Sequence, residues 1–341
     1  MIRVFMPGRF CVFGEHSDWA SEYKALNPDI EKGYALVIGL EEGIFLEAEK
    51  STLFTYEYEK KSIELSREEF VQRSEKDFFE YVISAAKIML QEYGVFGIHI
   101  TCTKTTLPIK KGLASSAAIC MGVIRAYNQL YSLGIDVETE MELAYKAEKE
   151  IGSKCGKLDQ ICAYGKGVRK IEFDSGQMKI SDVECNGEWH FLIVDLDGQK
   201  DTKRILSDLN KCYPFPTNDR MKKLYDTFGG FNKGIVGEAV KRFAVGDSTM
   251  VGQLMVDYQR DFDKNVAPFS DELSAPLLHN LFSLIQDREG VLGYKGVGSQ
   301  GDGMAQILVR DAASVKKLRK FIETELHLPC LSIDLIKETS K

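Results

Sequence analysis

Residues 107–121 read LPIKKGLASSAAICM, a lysine pair and a glycine followed by a run of small residues. Residues 98–102 before it are β-type, and the small residues from 115 to 131 predict a helix, so the order is strand, glycine loop, helix. The first amides of a helix have no internal partner and lie at the positive end of its dipole, so such a loop can hold phosphate oxygens. Ser115 and Ser116 add hydroxyls for phosphate or magnesium, and Lys110 and Lys111 stand beside the loop. The plainer reading makes Gly112 a turn residue and the serine pair an N-cap; the adjacent lysines favour phosphate. The loop is not a Walker A sequence. The nearest approach to one, GSKCGKL at 152–158, is one residue short between its glycines and has Leu158 where Ser or Thr should meet magnesium.

Outward from the loop, strands are predicted at 2–5, 35–40, 44–49 and 53–58, and a helix at 78–90 with Gly94 as its stop. A helix at 137–151 and strands at 168–173 and 189–195 follow. Beyond residue 202 the pattern turns helical, at 203–212, 221–228, 234–243, 249–262 and 275–285. A strand, helix and strand at 305–309, 312–325 and 331–335 close the chain. Strand-rich and helix-rich halves predict an α+β protein of two lobes, 1–187 and 188–341, rather than a regular βα repeat.

Bulk properties agree. A chain of 341 residues is long enough for about two domains with their own cores. No apolar run reaches the roughly 18 residues of a membrane span. The net charge of −7 offers no general attraction for nucleic acid or an anionic membrane. The eight cysteines include no C-x-x-C pair, a reduced pattern, and residues 1–19 lack the apolar core of a signal peptide, so a cytoplasmic address is expected. The five histidines never fall at zinc-site spacing.

Two further segments carry glycines. In KGVGSQGDGMAQ, 295–306, Gly296, Gly298 and Gly301 satisfy G-x-G-x-x-G, but the dinucleotide fingerprint requires a strand before and a helix after. A helix is expected before and a strand after, so a loop laying its backbone against a ligand or another loop is the better reading. PGRFCVFGEHSDW, 7–19, follows the first strand and gathers Arg9, Glu15, His16 and Asp18, groups that hydrogen-bond hydroxyls well.

Together and in this order, the three segments resemble the signatures of the GHMP kinases, the superfamily of galactokinase, homoserine kinase, mevalonate kinase and phosphomevalonate kinase. Galactokinases carry P-G-R and then G-E-H-T-D-Y where this chain has P-G-R and G-E-H-S-D-W. CGKLDQ at 155–160 is similar to their C-G-I-M-D-Q. The resemblance implies a two-lobed GHMP kinase fold, with a ribosomal-protein-S5-like α/β N-terminal lobe that binds ATP and a mostly helical α+β C-terminal lobe. It implies a magnesium-requiring, ATP-dependent kinase acting on a monosaccharide, at the anomeric hydroxyl. Asp159 would be the catalytic base, with Arg9 beside it and the transferred phosphate, and Glu15, His16 and Asp18 would hold the sugar. Lys111, Gly112, Leu113, Ala114, Ser115, Ser116 and Ala117, with Gly298, would contact ATP, and Ser116 and Glu148 magnesium. Residues 53–86 are the expected place of the adenine.

Phosphoryl transfer is mainly positioning and charge neutralisation, so an amide-lined loop, a magnesium carboxylate, a cation and a proton acceptor are the parts it needs. The chain also departs from galactokinases. Ser299, Gln300 and Asp302 interrupt the third glycine run, residues 21–34 are an insertion after the G-E-H-S-D-W motif, and the later D-S-x-V-x-H segment is missing. These departures keep two alternatives open: a mevalonate- or homoserine-type kinase of a non-sugar alcohol, and a nucleotide- and sugar-binding sensor without turnover.

Overall fold

A computed structural model describes residues 1–74, 76–107, 112–153 and 156–336. In chain order its elements are β1 (Ile2–Phe13), α1 (Ser17–Glu22), β2 (Gly33–Lys50), β3 (Phe54–Tyr58), β4 (Lys61–Leu65), α2 (Arg67–Gln72), α3 (Glu80–Tyr93), β5 (Ile98–Thr105), α4 (Ser115–Tyr131) and α5 (Val137–Glu150). There follow β6 (Gly167–Asp174), β7 (Gln177–Asp182), β8 (Glu188–Asp195), α6 (Thr202–Asn210), α7 (Asp219–Asp226), α8 (Asn232–Val245), α9 (Ser248–Asn265), α10 (Pro276–Ile285), β9 (Val291–Gly296), β10 (Met304–Val309), α11 (Ala312–Glu325) and β11 (Cys330–Ile336). The α+β class read from the sequence is borne out.

The chain divides into two compact units: Met1–Phe10 with Gly39–Lys166, and Cys11–Ile38 with Gly167–Lys341. This division differs from the expected break at 187/188. It falls just before β6, and it gives the second unit the segment that carries Glu15, His16 and Asp18.

In the first unit strands run in the order β4, β3, β5, β2, and β1 also pairs with β2. β3 is antiparallel to β4 (Phe54 opposite Leu65) and parallel to β5 (Phe54 opposite Ile98). β5 is antiparallel to β2, with Ile44 opposite Thr105. Helices α3, α4 and α5 pack on one another. Ala117, Ala118, Cys120 and Met121 of α4 are buried, which is why the small-residue run after the loop sits deep in the unit. Each fully buried large apolar side chain here contributes roughly 1.5–3 kcal/mol.

The second unit holds the β6–β7 hairpin and an antiparallel sheet ordered β11, β8, β10, β9. Its core joins Leu192, Val194 and Ile307 of that sheet to Leu278 and Phe282 of α10 and Ile322 of α11.

Several expectations change. The strands at 35–40 and 44–49 are one continuous β2, and β1 runs on through Pro7, Gly8 and Arg9, so these three residues stand in a strand rather than after one. α1, β4, α2, β7 and β9 are additional. β9 precedes the loop at 297–303 and β10 follows it, correcting the expected preceding helix; the two strands are antiparallel, so the loop is still no dinucleotide fingerprint. Among the described residues, no helix is long and apolar enough to cross a membrane, and seven cysteines are free.

Candidate active site

The first unit assembles the phosphate-side groups. Arg9, on β1, donates from its backbone N–H to the Leu113 carbonyl at 3.2 Å and from Nη1 to the Gly112 carbonyl at 2.9 Å. Its Nη2 donates to Oδ1 of Asp159, the first residue of the 3₁₀ turn Asp159–Tyr164. One guanidinium thus fastens the glycine loop to the proposed base. Gly8 is required beside it, because a Cβ there would lie 2.4 Å from Leu107 Cδ1 and 2.8 Å from the Leu113 carbonyl oxygen. Arg9 is almost enclosed, with a side chain 5% exposed, while that of Asp159 is 25% exposed and reachable by a substrate.

The serine pair is not an N-cap. The N-cap of α4 is Ala114, left-handed at φ 62°, and it makes no side-chain cap bond. Ser115 and Ser116 are instead the first helical residues. Glu148 of α5 is buried, and its carboxylate accepts from the Gln160 amide at 2.5 Å and from the Ser116 hydroxyl. Burial first, and then the neighbouring Asp159 charge, push its pKa up to about 8. A cation at this point would restore the charged form. The donor set of a hydroxyl and carboxylates matches the oxygen preference of magnesium, which takes its remaining ligands from phosphates and water.

Beside Ser115 and Ser116 opens a cavity of about 260 Å³, walled by Tyr56, Tyr58, Phe78 and Tyr81 with Cys102 at its edge. Tyr58 and Phe78 stack with ring centroids 5.8 Å apart, and the Lys61 ammonium lies 4.0 Å from the Phe78 ring. These aromatics fall in the stretch 53–86 expected to receive the adenine. Individually the sequence did not mark them, since an aromatic in a strand is usually core.

In the second unit, Glu15 pairs with Lys295 of β9 at 2.6 Å, and Lys295 also donates to the Gly296 carbonyl at 2.9 Å. Both side chains are closed off, at 3% and 0% exposure. His16 lies stacked on Phe228 and Phe262, at 5.4 and 6.1 Å. The Trp19 indole N–H donates to its Nδ1 at 3.1 Å, so the neutral ring carries its proton on Nε2. Burial drives its pKa down to about 3. Asp18 is buried in the first turn of α1.

Lys200 donates to the carbonyls of Gln300 and Val297 at 2.8 and 3.3 Å, and Thr202 bonds Ser299 at 3.2 Å. A lysine and a threonine therefore hold the loop that carries Gly298, whose φ is 64°. Burial lowers the Lys200 pKa to about 8, although Glu15 and Asp302 oppose it.

The structure thus joins Arg9, Gly112, Leu113 and Asp159, and joins Ser116 with Glu148, in the first unit. It gathers Glu15 and His16, with the Gly298 loop held by Lys200, in the second. Lys110, Lys111 and Cys155 lie outside the described residues. Lys200, Lys295 and Gln160 were not singled out from sequence, and nothing local marked them.

Residues 80–167 match the family described as the GHMP kinases N terminal domain. A galactokinase of Thermotoga neapolitana is 24% identical, over 94% of this chain and 92% of its own. The structure of Lactococcus lactis galactokinase complexed with galactose superposes with a TM-score of 0.78 at 19% identity, covering 98% of this chain and 93% of that one. The Methanococcus jannaschii mevalonate kinase follows at 0.75 and 20% identity, covering 98% of each. The fold is shared with both.

Proposed function

From the premise that this chain belongs to the GHMP kinase superfamily, we propose that it transfers the γ-phosphate of ATP to a monosaccharide, at the anomeric hydroxyl. The observation that carries the reading is Arg9 bridging the Gly112 carbonyl and the Asp159 carboxylate, because it ties a carboxylate and a cation to the loop that would seat the phosphates.

Asp159 accepts the proton of the attacking hydroxyl, and its partial exposure leaves one face for that contact. Arg9 pairs with the carboxylate and faces the negative charge that spreads over the transferred phosphoryl group. The first amides of α4, left without a side-chain cap, bind phosphate oxygens. Ser116 and Glu148 hold magnesium, which when bound neutralises phosphate charge. The aromatic cavity beside Ser115 and Ser116 takes the adenine. In the second unit Asp18 is assigned to the acceptor, while Glu15 and His16, committed to Lys295 and Trp19, fix the turn that presents it.

The sugar assignment rests on the G-E-H-S-D-W motif and the galactokinase relatives. It is tested by coupled ADP release with Mg-ATP over a panel of hexoses, uronic acids, deoxysugars and heptoses, with mevalonate and homoserine as outgroups. Turnover with one sugar and phosphate found on its anomeric carbon is the expected result. Turnover with mevalonate or homoserine alone would overturn the sugar, and ligand-induced stabilisation with no ADP would replace the kinase by a sensor.

A further inference from the structure

The glycine segment at 295–306 has no part in the chemistry above, and its sequence is interrupted by Ser299, Gln300 and Asp302. Each of the three has a use within the second unit. Ser299 Oγ bonds the Thr202 hydroxyl at 3.2 Å. Gln300, left-handed at φ 64° and buried, turns its amide back to the Gly296 carbonyl at 3.4 Å. Asp302 Oδ1 accepts the Leu278 N–H at 3.0 Å, in the first turn of α10. The base of the loop is closed by Val297 N–H on the Met304 carbonyl at 3.1 Å and by Leu196 N–H on the Gly303 carbonyl at 3.2 Å.

This loop is folded around a cation. Lys200, two residues before α6, donates to the Gln300 and Val297 carbonyls. Gly303 makes room for it: a Cβ there would stand 2.7 Å from Lys200 Cε and 2.9 Å from its Nζ. The carboxylates nearest the ammonium have other partners, Glu15 being taken by Lys295 of β9 and Asp302 by the α10 amide. His16, beside Glu15, is neutral. Asp201, next along the chain, caps α6 through the Arg204 N–H, and Glu272 accepts the Asp201 N–H and pairs with Arg204 at 3.5 Å. Carbonyl oxygens are thus the partners of the ammonium, and such bonds are roughly twice as strong when the donor is charged. With a pKa lowered by burial to about 8, Lys200 is mostly charged at pH 7 and mostly neutral at pH 9.

We propose that Lys200 is the positioning residue of this segment: its ammonium, held by the carbonyls of Val297 and Gln300, sets the loop shape in which Gly298 meets the nucleotide. The nucleotide contact rests on the kinase reading, whereas the dependence of the loop on Lys200 does not.

Two variants reach the same contact from opposite sides. Lys200→Met removes the ammonium, while Gly303→Ala keeps it and pushes it aside, because the added Cβ meets the far end of a flexible side chain. Gly234→Ala, on α8 with nothing within 4 Å of the added Cβ, is the control. Hydrogen exchange of the full chain without ligand reads the loop, and titration with Mg-ATP reads the nucleotide contact. In both variants amides of 297–303 should lose protection and Mg-ATP should bind about tenfold more weakly, with melting temperature and kcat at saturating ATP close to wild type and to the control. Wild type at pH 9 should approach Lys200→Met, whose own affinity should be the same at pH 7 and 9. Wild-type affinity for Mg-ATP in both folded variants would overturn the proposal. So would a joint fall of melting temperature and kcat with affinity intact, which marks a lysine that serves packing alone. Unaltered protection in both variants would overturn it too, and would leave the kinase reading standing. A wild-type chain that binds no Mg-ATP would overturn the kinase reading and the nucleotide contact together, and the exchange result would still decide whether Lys200 shapes the loop.

Discussion

Each unit contains a carboxylate paired with a cation, and the pairs differ in access. Asp159 remains a quarter exposed beside Arg9, whereas Glu15 and Lys295 are sealed together. The same chemistry yields two roles. A carboxylate that keeps an open face can take a proton from a substrate, while one enclosed with its counter-ion holds backbone in place and resists change.

The comparison is most readily broken at Lys295. Removing one partner of a sealed pair strands the other charge, so Lys295→Met should destabilise the protein by about 3–5 kcal/mol in urea unfolding. Glu15→Gln/Lys295→Met should recover most of that loss. A double variant as unstable as the single would show that the pair is not what the lysine supports.

His16 sharpens the contrast through pH. Its folded pKa of about 3 lies below the usual 6.5, so between these values the unfolded chain binds a proton that the folded chain refuses. Its contribution is fully present above about pH 6.5 and is lost as pH falls toward 3, on the order of a few kcal/mol in all. Unfolding free energies at pH 7 and 4.5 should therefore differ less in His16→Phe than in wild type. Equal differences would mean that His16 is not held neutral.

A smaller effect is expected at Gln160, which orients Glu148 rather than meeting a ligand itself. Outer partners of metal ligands typically matter by about 10–100-fold, so Gln160→Leu should weaken magnesium-dependent ATP binding by that factor. Metal-free nucleotide binding should stay the same. Loss of both would point to a general role in packing.

How far the sequence disclosed this arrangement depends on the range of the contacts. The strand and the small-residue helix on either side of Gly112 were legible because they are consecutive, and a helix start exposes its amides whatever surrounds it. Lys295 was not, since its partner Glu15 is 280 positions away and nothing local distinguishes a sealed lysine from a solvated one. β9 was obscured by Gly293, Lys295 and Gly296, which interrupt its apolar pattern. β2 was split in the reading because Gly39 and Gly43 look like breaks. Gly39 is instead a close approach, where a Cβ would lie 1.8 Å from the Gly165 carbonyl oxygen. α2 had a local signature that went unused, the Ser66 and Glu69 capping box. The plainer reading of the serine pair fails for the opposite reason: serine is a common N-cap, yet the cap position falls to left-handed Ala114.

Catalysis by the partly open Asp159 beside Arg9 is tested most directly by the turnover of Asp159→Asn on whichever sugar the wild type phosphorylates. A fall of about a hundredfold to ten-thousandfold, with ATP affinity and melting temperature close to wild type, is the predicted result. Near-normal turnover in a folded variant would contradict the account, because the proton would then be leaving by a group other than Asp159.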